Sequence, residues 1–219
     1  MAPMRGKGDK KMFRYEKHAQ NQDPWNKGRL MGQKMPFSRQ EIWSIRAHIQ
    51  NADKIRDLAL FNLALDSKLR ACDLLKICVS DVSRGDGVNS RAIIRQQKTS
   101  RPVQFEITTG TRKSVSEWID KAKLNTSSYL FPSRIHDSAH LSTRQYSRIV
   151  ESWVLGIGLD ASAYGTHSLR RTKATLLYRH TKNLRAVQLL LGHAKLDSTV
   201  RYLGIDIDDA LELSEQIDV

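Results

Sequence analysis

Between Gly165 and Tyr178 the chain reads GTHSLRRTKATLLY, its densest grouping of side chains able to bind phosphate or move protons. His167 stands three residues before Arg170, so the two share a helical face or a helix start, and Arg171 and Lys173 follow at once. An arginine offers a planar fork of donors that matches phosphate oxygens, and a histidine beside it exchanges a proton near neutral pH. A solvated basic helix with a histidine at its buried edge would read the same way, and both readings stay open on these residues. Further on, LLGHAKLDSTVRYL sets His193 nine residues ahead of Tyr202; for an arbitrary tyrosine, a place in an amphipathic core is the better expectation. His167, His180 and His193 recur at thirteen-residue intervals, unlike any close ligand pair, and Cys72 and Cys78 are far away, so no metal is expected.

The elements that must hold these groups are mostly helical. Ser38 with Glu41 three residues later forms a capping box, and Ile42, Ile45 and Ile49 recur at helical spacing. A second stripe runs through Ile55, Leu58, Phe61, Leu65 and Leu69 up to Arg70. RAIIRQQKTSRPVQFEIT differs: alternating β-branched segments flank a polar turn, which predicts a hairpin with Lys98 at or near its tip, the molecule's only sheet. Helix returns in GTRKSVSEWIDKAKL, breaks at the Pro-containing YLFPSR and resumes in STRQYSRIVESWVLGIG, where Gly156 and Gly158 end it. HSLRRTKATLLYRH, NLRAVQLLLGH, DSTVRYL and DALELSEQI continue the helical pattern without a fixed-period repeat. The fold class expected is mainly α with a small β-hairpin or sheet (α+β).

Charge narrows the partners. The chain of 219 residues carries a net +13, yet residues 1–36 account for +6 and residues 203–219, which hold six acids and no Lys or Arg, for −6. The stretch between is therefore itself +13, and a folded body of that sign attracts a polyanion with an affinity that falls as salt rises. Nucleic acid is the leading partner. The basic N-terminus lacks an apolar h-region, no apolar run reaches membrane-spanning length, and two cysteines fit a reducing cytosol, so a cytoplasmic protein with no membrane partner is expected. The organisation expected is a flexible basic arm over residues 1–36, one domain over 37–204 and an acidic helix or tail over 205–219.

Taken in order, the motifs resemble the tyrosine recombinase or phage integrase family, over roughly residues 38–204. His167-Ser168-Leu169-Arg170 is similar to that family's His-x-x-Arg box, Leu190-Leu191-Gly192-His193 to its LLGH segment, and Tyr202 to the tyrosine nine positions beyond. LALDSKLRACDLLKI resembles the first arginine box with Arg70 between helices, RQQKTSRPVQFEI the hairpin with the family's lysine at Lys98, and YLFPSR the segment leading to the last helices. Asp73 departs from the pattern, which has glutamate there. A short arm where many members carry a helical core-binding domain resembles the catalytic-domain-only recombinases.

The resemblance implies a fold and a chemistry. Tyr202 would attack a DNA phosphate to form a 3′-phosphotyrosyl link, conserving the bond energy without metal, ATP or any cofactor. Arg70 and Arg170 would neutralise the charge of the pentacoordinate state, Lys98 would protonate the leaving 5′-oxygen, His167 would accept the tyrosine proton or hold the phosphate, and His193 would hydrogen-bond the phosphate or support Tyr202. Thr99, Arg101, Arg144, Arg148, Arg171 and Lys173 are the expected DNA contacts. A tetramer on two double-stranded DNA sites follows, with accessory DNA-bending proteins as optional partners, the basic arm along DNA and the acidic tail inclined to dock on a neighbouring subunit; the chain would then associate with the bacterial nucleoid when bound to DNA. Two rivals remain: a helix-turn-helix regulator built on residues 170–202 and a type IB topoisomerase.

Overall fold

The computed structural model describes residues 33–205 apart from Asp86 and 135–137, together with Leu211, Ser214 and Glu215. The arm expected over residues 1–36, except its last four positions, and nearly all of the acidic segment lie outside the described residues.

The chain enters as α1 (Arg39–Asn51), and the capping box forms as the sequence predicts: Glu41 N–H donates to the Ser38 hydroxyl at 3.2 Å and Ser38 N–H to the Glu41 carboxylate at 2.7 Å. Ile42, Ile45 and Ile49 face inward onto α2 (Ile55–Ser67), which packs against α1, α5 (Thr109–Ala122) and α7 (Thr166–Thr181) and is buried along most of its length. The helix stops at Ser67, two residues short of Leu69, the last residue of its apolar stripe. Lys68 adopts a left-handed conformation at φ +55°, and Arg70 caps the single turn α3 (Ala71–Leu74). A second short turn, α4 (Val79–Val82), follows; both are too brief to show a helical period.

Two small antiparallel sheets follow where one was expected. β1 (Ser83–Arg84) and β2 (Gly87–Val88) are two residues each, below the length at which alternation can be read. β3 (Arg91–Arg95) and β4 (Pro102–Glu106) form the predicted hairpin, with Ile93 opposite Gln104 and Arg95 opposite Pro102. Its inner face carries Ala92, Val103 and Phe105. After α5, the YLFPSR stretch is irregular but pinned: Leu130 and Phe131 are buried, and the Trp118 indole N–H donates to the Leu130 carbonyl at 2.7 Å.

Then α6 (Thr143–Gly156) begins on its own capping box, Ser142 with Gln145. It ends at Gly156, where a Cβ would fall 2.4 Å from the His48 ring of α1; the glycine serves that crossing as well as the helix end. α7, α8 (Leu184–Leu191) and α9 (Leu196–Leu203) complete the described fold. They share a satellite core, where Ala174, Val187 and Leu191 pack with Leu177, Tyr178, Leu203 and Tyr202. The fold is mainly α with a small β part, and Tyr202 sits where this satellite meets the main body.

Candidate active site

Arg170 occupies the second turn of α7 and is 2% exposed. Its guanidinium donates from Nη1 to the Lys68 carbonyl at 2.5 Å and from Nη2 to the Leu191 carbonyl at 2.9 Å. Those carbonyls belong to the C-terminal ends of α2 and α8, where unpaired oxygens and the helix dipoles favour a cation. Two chain reversals therefore aim this arginine, each through a left-handed residue: Lys68, and Gly192 at φ +66°. At Gly192 the glycine is doubly required, because a Cβ would also meet Val103 Cγ2 at 2.5 Å and the Gln96 amide at 3.2 Å.

Tyr202 lies against the same groups. The Arg170 and Arg171 guanidinium carbons stand 5.8 and 5.4 Å from its ring centroid, and the His193 ring meets it edge-on at 5.4 Å. The hydroxyl oxygen is shielded from solvent and makes no hydrogen bond of good geometry among the described residues, although Arg170 faces it closely enough to act on its charge. Burial pushes the phenol pKa up to about 12; Arg170, Arg171 and Arg70 pull it back but do not prevail. His193 accepts or donates a hydrogen bond at Nδ1 with the buried Thr199 hydroxyl, 3.1 Å away. Burial, then Arg170 and Arg70, lower its pKa to about 4, so the ring is neutral at physiological pH. His167, at the start of α7 with part of its ring in solvent, is also held below its ordinary value, first by burial and then by Arg170, Arg70 and Arg171.

Arg70 closes the cluster from α3. Its Nη1 donates to Gln96 Oε1 at 2.8 Å, while Asp73 stops 3.9 Å away, outside hydrogen-bond range. The shorter carboxylate thus steadies the charge of Arg70 while a glutamine supplies the bond. The other Asp73 oxygen accepts from the Gln97 backbone N–H at 2.9 Å and ties the hairpin tip to α3.

The expected residues Arg70, His167, Arg170, His193 and Tyr202 are thereby gathered, and each histidine and the tyrosine feels the field of both arginines. Lys98 lies in the turn between β3 and β4, exposed and without an ion pair among the described residues. The expected DNA contacts divide. Arg101 is exposed beside the turn, and Arg144 and Arg148 are exposed one helical turn apart on α6. Three others are otherwise engaged: Thr99 gives its hydroxyl to Gln96 Oε1 at 3.0 Å, Arg171 is buried beneath Tyr202, and Lys173 is ion-paired at 2.6 Å to Asp66 and 2.5 Å to Glu106. Lys173 belongs to a network behind Arg170 that includes the buried Lys68 ammonium, 3.2 Å from both Glu106 oxygens. Sequence reading missed Lys68, Glu106, Asp66 and Gln96. Only Gln96 left a trace, since alternation through Ala92 and Ile94 turns position 96 inward.

The model of the phage integrase family matches residues 37–207. The probable integrase/recombinase YoeC of Bacillus subtilis is 30% identical over 171 residues, 78% of this chain and 89% of that protein. The tyrosine recombinase XerH of Campylobacter jejuni is 30% identical over 195 residues, covering 85% of this chain but 53% of its own length. Among solved structures, XerH site-specific recombinase bound to difH substrate superposes with a TM-score of 0.64 at 22% identity, over 83% of this chain and 55% of that one. The Tn1549 transposon integrase in complex with transposon right end DNA gives 0.67 at 16%, over 84% and 66%; at these identities the structures speak for the fold. This chain thus spans most of YoeC and about half of XerH. With the family model over most of its length and the two arginines closed around the tyrosine, the chain belongs to the phage integrase family of tyrosine recombinases.

Proposed function

We propose that the chain is a site-specific DNA recombinase that breaks and rejoins strands through Tyr202. The observation that carries this is the tyrosine itself: a phenol hydroxyl buried against two guanidinium groups, with a third nearby and no hydrogen-bond partner of good geometry among the described residues. Buried polar atoms are seldom left unpaired, and a phosphate oxygen bound between Arg70 and Arg170 would answer both the orphaned oxygen and the excess positive charge. In the reaction the Tyr202 oxygen forms a bond to phosphorus as the bond to the 5′-oxygen breaks. The phenolic proton passes to His167, whose lowered pKa keeps it free to accept, and the leaving oxygen takes a proton from Lys98. His193, its pKa lowered to about 4 and its ring therefore neutral at physiological pH, is a hydrogen-bond partner for phosphate or tyrosine rather than an acid. Attack by a 5′-hydroxyl reverses the steps and restores the phosphodiester, so no energy source enters.

The attacking tyrosine packs in the site of its own chain, which favours cleavage in cis. The remaining partners we propose are double-stranded DNA and three further copies of the chain, as a tetramer on two DNA sites, with accessory DNA-bending proteins where the sites require them. Over the described residues no helix is long and apolar enough to cross a membrane. A helix-turn-helix regulator would keep α7 and α8 free to enter a groove, yet Arg170 is enclosed and Arg171 is beneath a tyrosine.

The test uses a pool of nicked duplexes randomised across one binding site. Wild type should leave protein covalently attached to DNA on denaturing gels, with the attached sequences enriched, and Tyr202→Phe should bind the same duplexes and leave none. Binding without any covalent product from wild type overturns the proposal.

A further inference from the structure

We infer that Gln96 is a positioning residue that locks the Lys98 turn onto the phosphate-binding arginines. This rests on the reading of Lys98 as the proton donor. The Gln96 side chain is 1% exposed and sits where three parts of the site cross. Its Oε1 accepts from Arg70 at 2.8 Å and from the Thr99 hydroxyl at 3.0 Å. Its Nε2 donates to the Leu191 carbonyl at 3.2 Å, the same oxygen that receives Arg170. One amide thus links the arginine of α3, the carbonyl that aims the arginine of α7, and a hydroxyl next to Lys98.

The backbone completes the lock. Gln96 N–H donates to the Arg101 carbonyl at 2.9 Å and Ser100 N–H to the Gln96 carbonyl at 2.8 Å, which closes the turn. Gln97 is held to α3 by its N–H on Asp73 and its side-chain amide on the Cys72 carbonyl, 2.9 Å each. Residues 96, 97 and 99 are therefore all anchored, and Lys98 between them is the one whose side chain projects free into solvent. A loop built only for stability would have no reason to place a buried amide on Arg70 and on the carbonyl that holds Arg170 at once. A loop that must bring an ammonium to the atom those arginines hold has that reason, because geometry within about 1 Å decides proton transfer.

The test replaces the 5′-bridging oxygen at the scissile phosphate with sulfur, on the duplex recovered from the randomised pool. A thiolate leaves without being protonated, so this substrate needs no proton donor, whereas it still needs the arginines. Gln96→Ala should slow covalent attachment on the ordinary duplex about 10²-fold, the lower end of what a general acid supplies, and should run within a few fold of wild type on the sulfur duplex. Lys98→Ala is the reference and should show the same pattern. Should Gln96→Ala fold poorly by thermal melting, Gln96→Met, which keeps the shape and removes the side-chain bonds, takes its place. If Lys98→Ala is not rescued by sulfur, the assignment of Lys98 fails. If Lys98→Ala is rescued and the Gln96 variant is not, Gln96 acts through the arginines alone and the inference is overturned. Wild-type speed of the Gln96 variant on the ordinary duplex overturns it as well.

Discussion

Arg170 shows why charge alone does not make this site. Its fork is filled by the Lys68 and Leu191 carbonyls, so the direction of the remaining donors is set before any substrate arrives. Arg170→Lys keeps the charge but loses the fork that spans the two carbonyls; the Leu191 carbonyl keeps the Gln96 amide, while a Lys68 carbonyl left unpaired costs about 1–3 kcal/mol. The covalent product should fall about 10²-fold or more, as when a preorganised donor is removed. Titrating free arginine-sized guanidinium into that variant would restore nothing if the orientation, rather than the charge, is what matters. His193 gives a second expectation. Its folded pKa of about 4 lies below the ordinary 6.5, so the unfolded chain takes up a proton that the folded chain refuses. The stability linked to this group is therefore whole above about pH 6.5 and is lost as pH falls toward 4. In thermal melts across that window wild type should lose ground relative to His193→Gln; parallel curves would mean that His193 does not titrate as described.

Two glycines at helix ends separate a tight approach from an indispensable one. A Cβ on Gly156 meets only the His48 ring, the far end of a side chain that can rotate away, so Gly156→Ala should cost little. A Cβ on Gly192 meets the buried Val103 and adds strain at φ +66°, so Gly192→Ala should cost about 1–3 kcal/mol. Because α8 would be pushed from β4 and its Leu191 carbonyl moved from Arg170, covalent attachment should drop further than the melting temperature alone explains. The same elements tell what sequence pattern conveys. The capping box at Ser38, the helix of Ile42, Ile45 and Ile49, and the hairpin around Lys98 were readable because each repeats a local rule over several residues. The single turns α3 and α4 and the two-residue strands β1 and β2 repeat nothing. Among the site residues, Arg70, His167, Arg170, His193 and Tyr202 came from spacing matched to a family. Gln96 and Lys68 did not, since their roles depend on which carbonyl of a distant helix end they meet.

At the scale of the whole molecule, net charge overstates what faces DNA. The stretch between residues 37 and 202 carries +13, but part of that charge is turned inward. Lys68 and Lys173 are spent on Asp66 and Glu106, and Arg170 and Arg171 are enclosed around Tyr202. Only cations that release counterions from DNA steepen the dependence of affinity on salt. Arg144 and Arg148 are exposed along one face of α6, and each replaced by alanine should lower the slope of log affinity against log salt by about 1 on a duplex of any sequence. Lys173→Ala should leave that slope unchanged while lowering the melting temperature, because it strips Asp66 and Glu106 of a close partner in a partly buried network. Binding isotherms at several salt concentrations, run beside thermal melts, separate the two classes of lysine and arginine. A slope lowered by Lys173→Ala at unchanged stability would show that this ammonium leaves its carboxylates for the phosphate backbone when DNA binds.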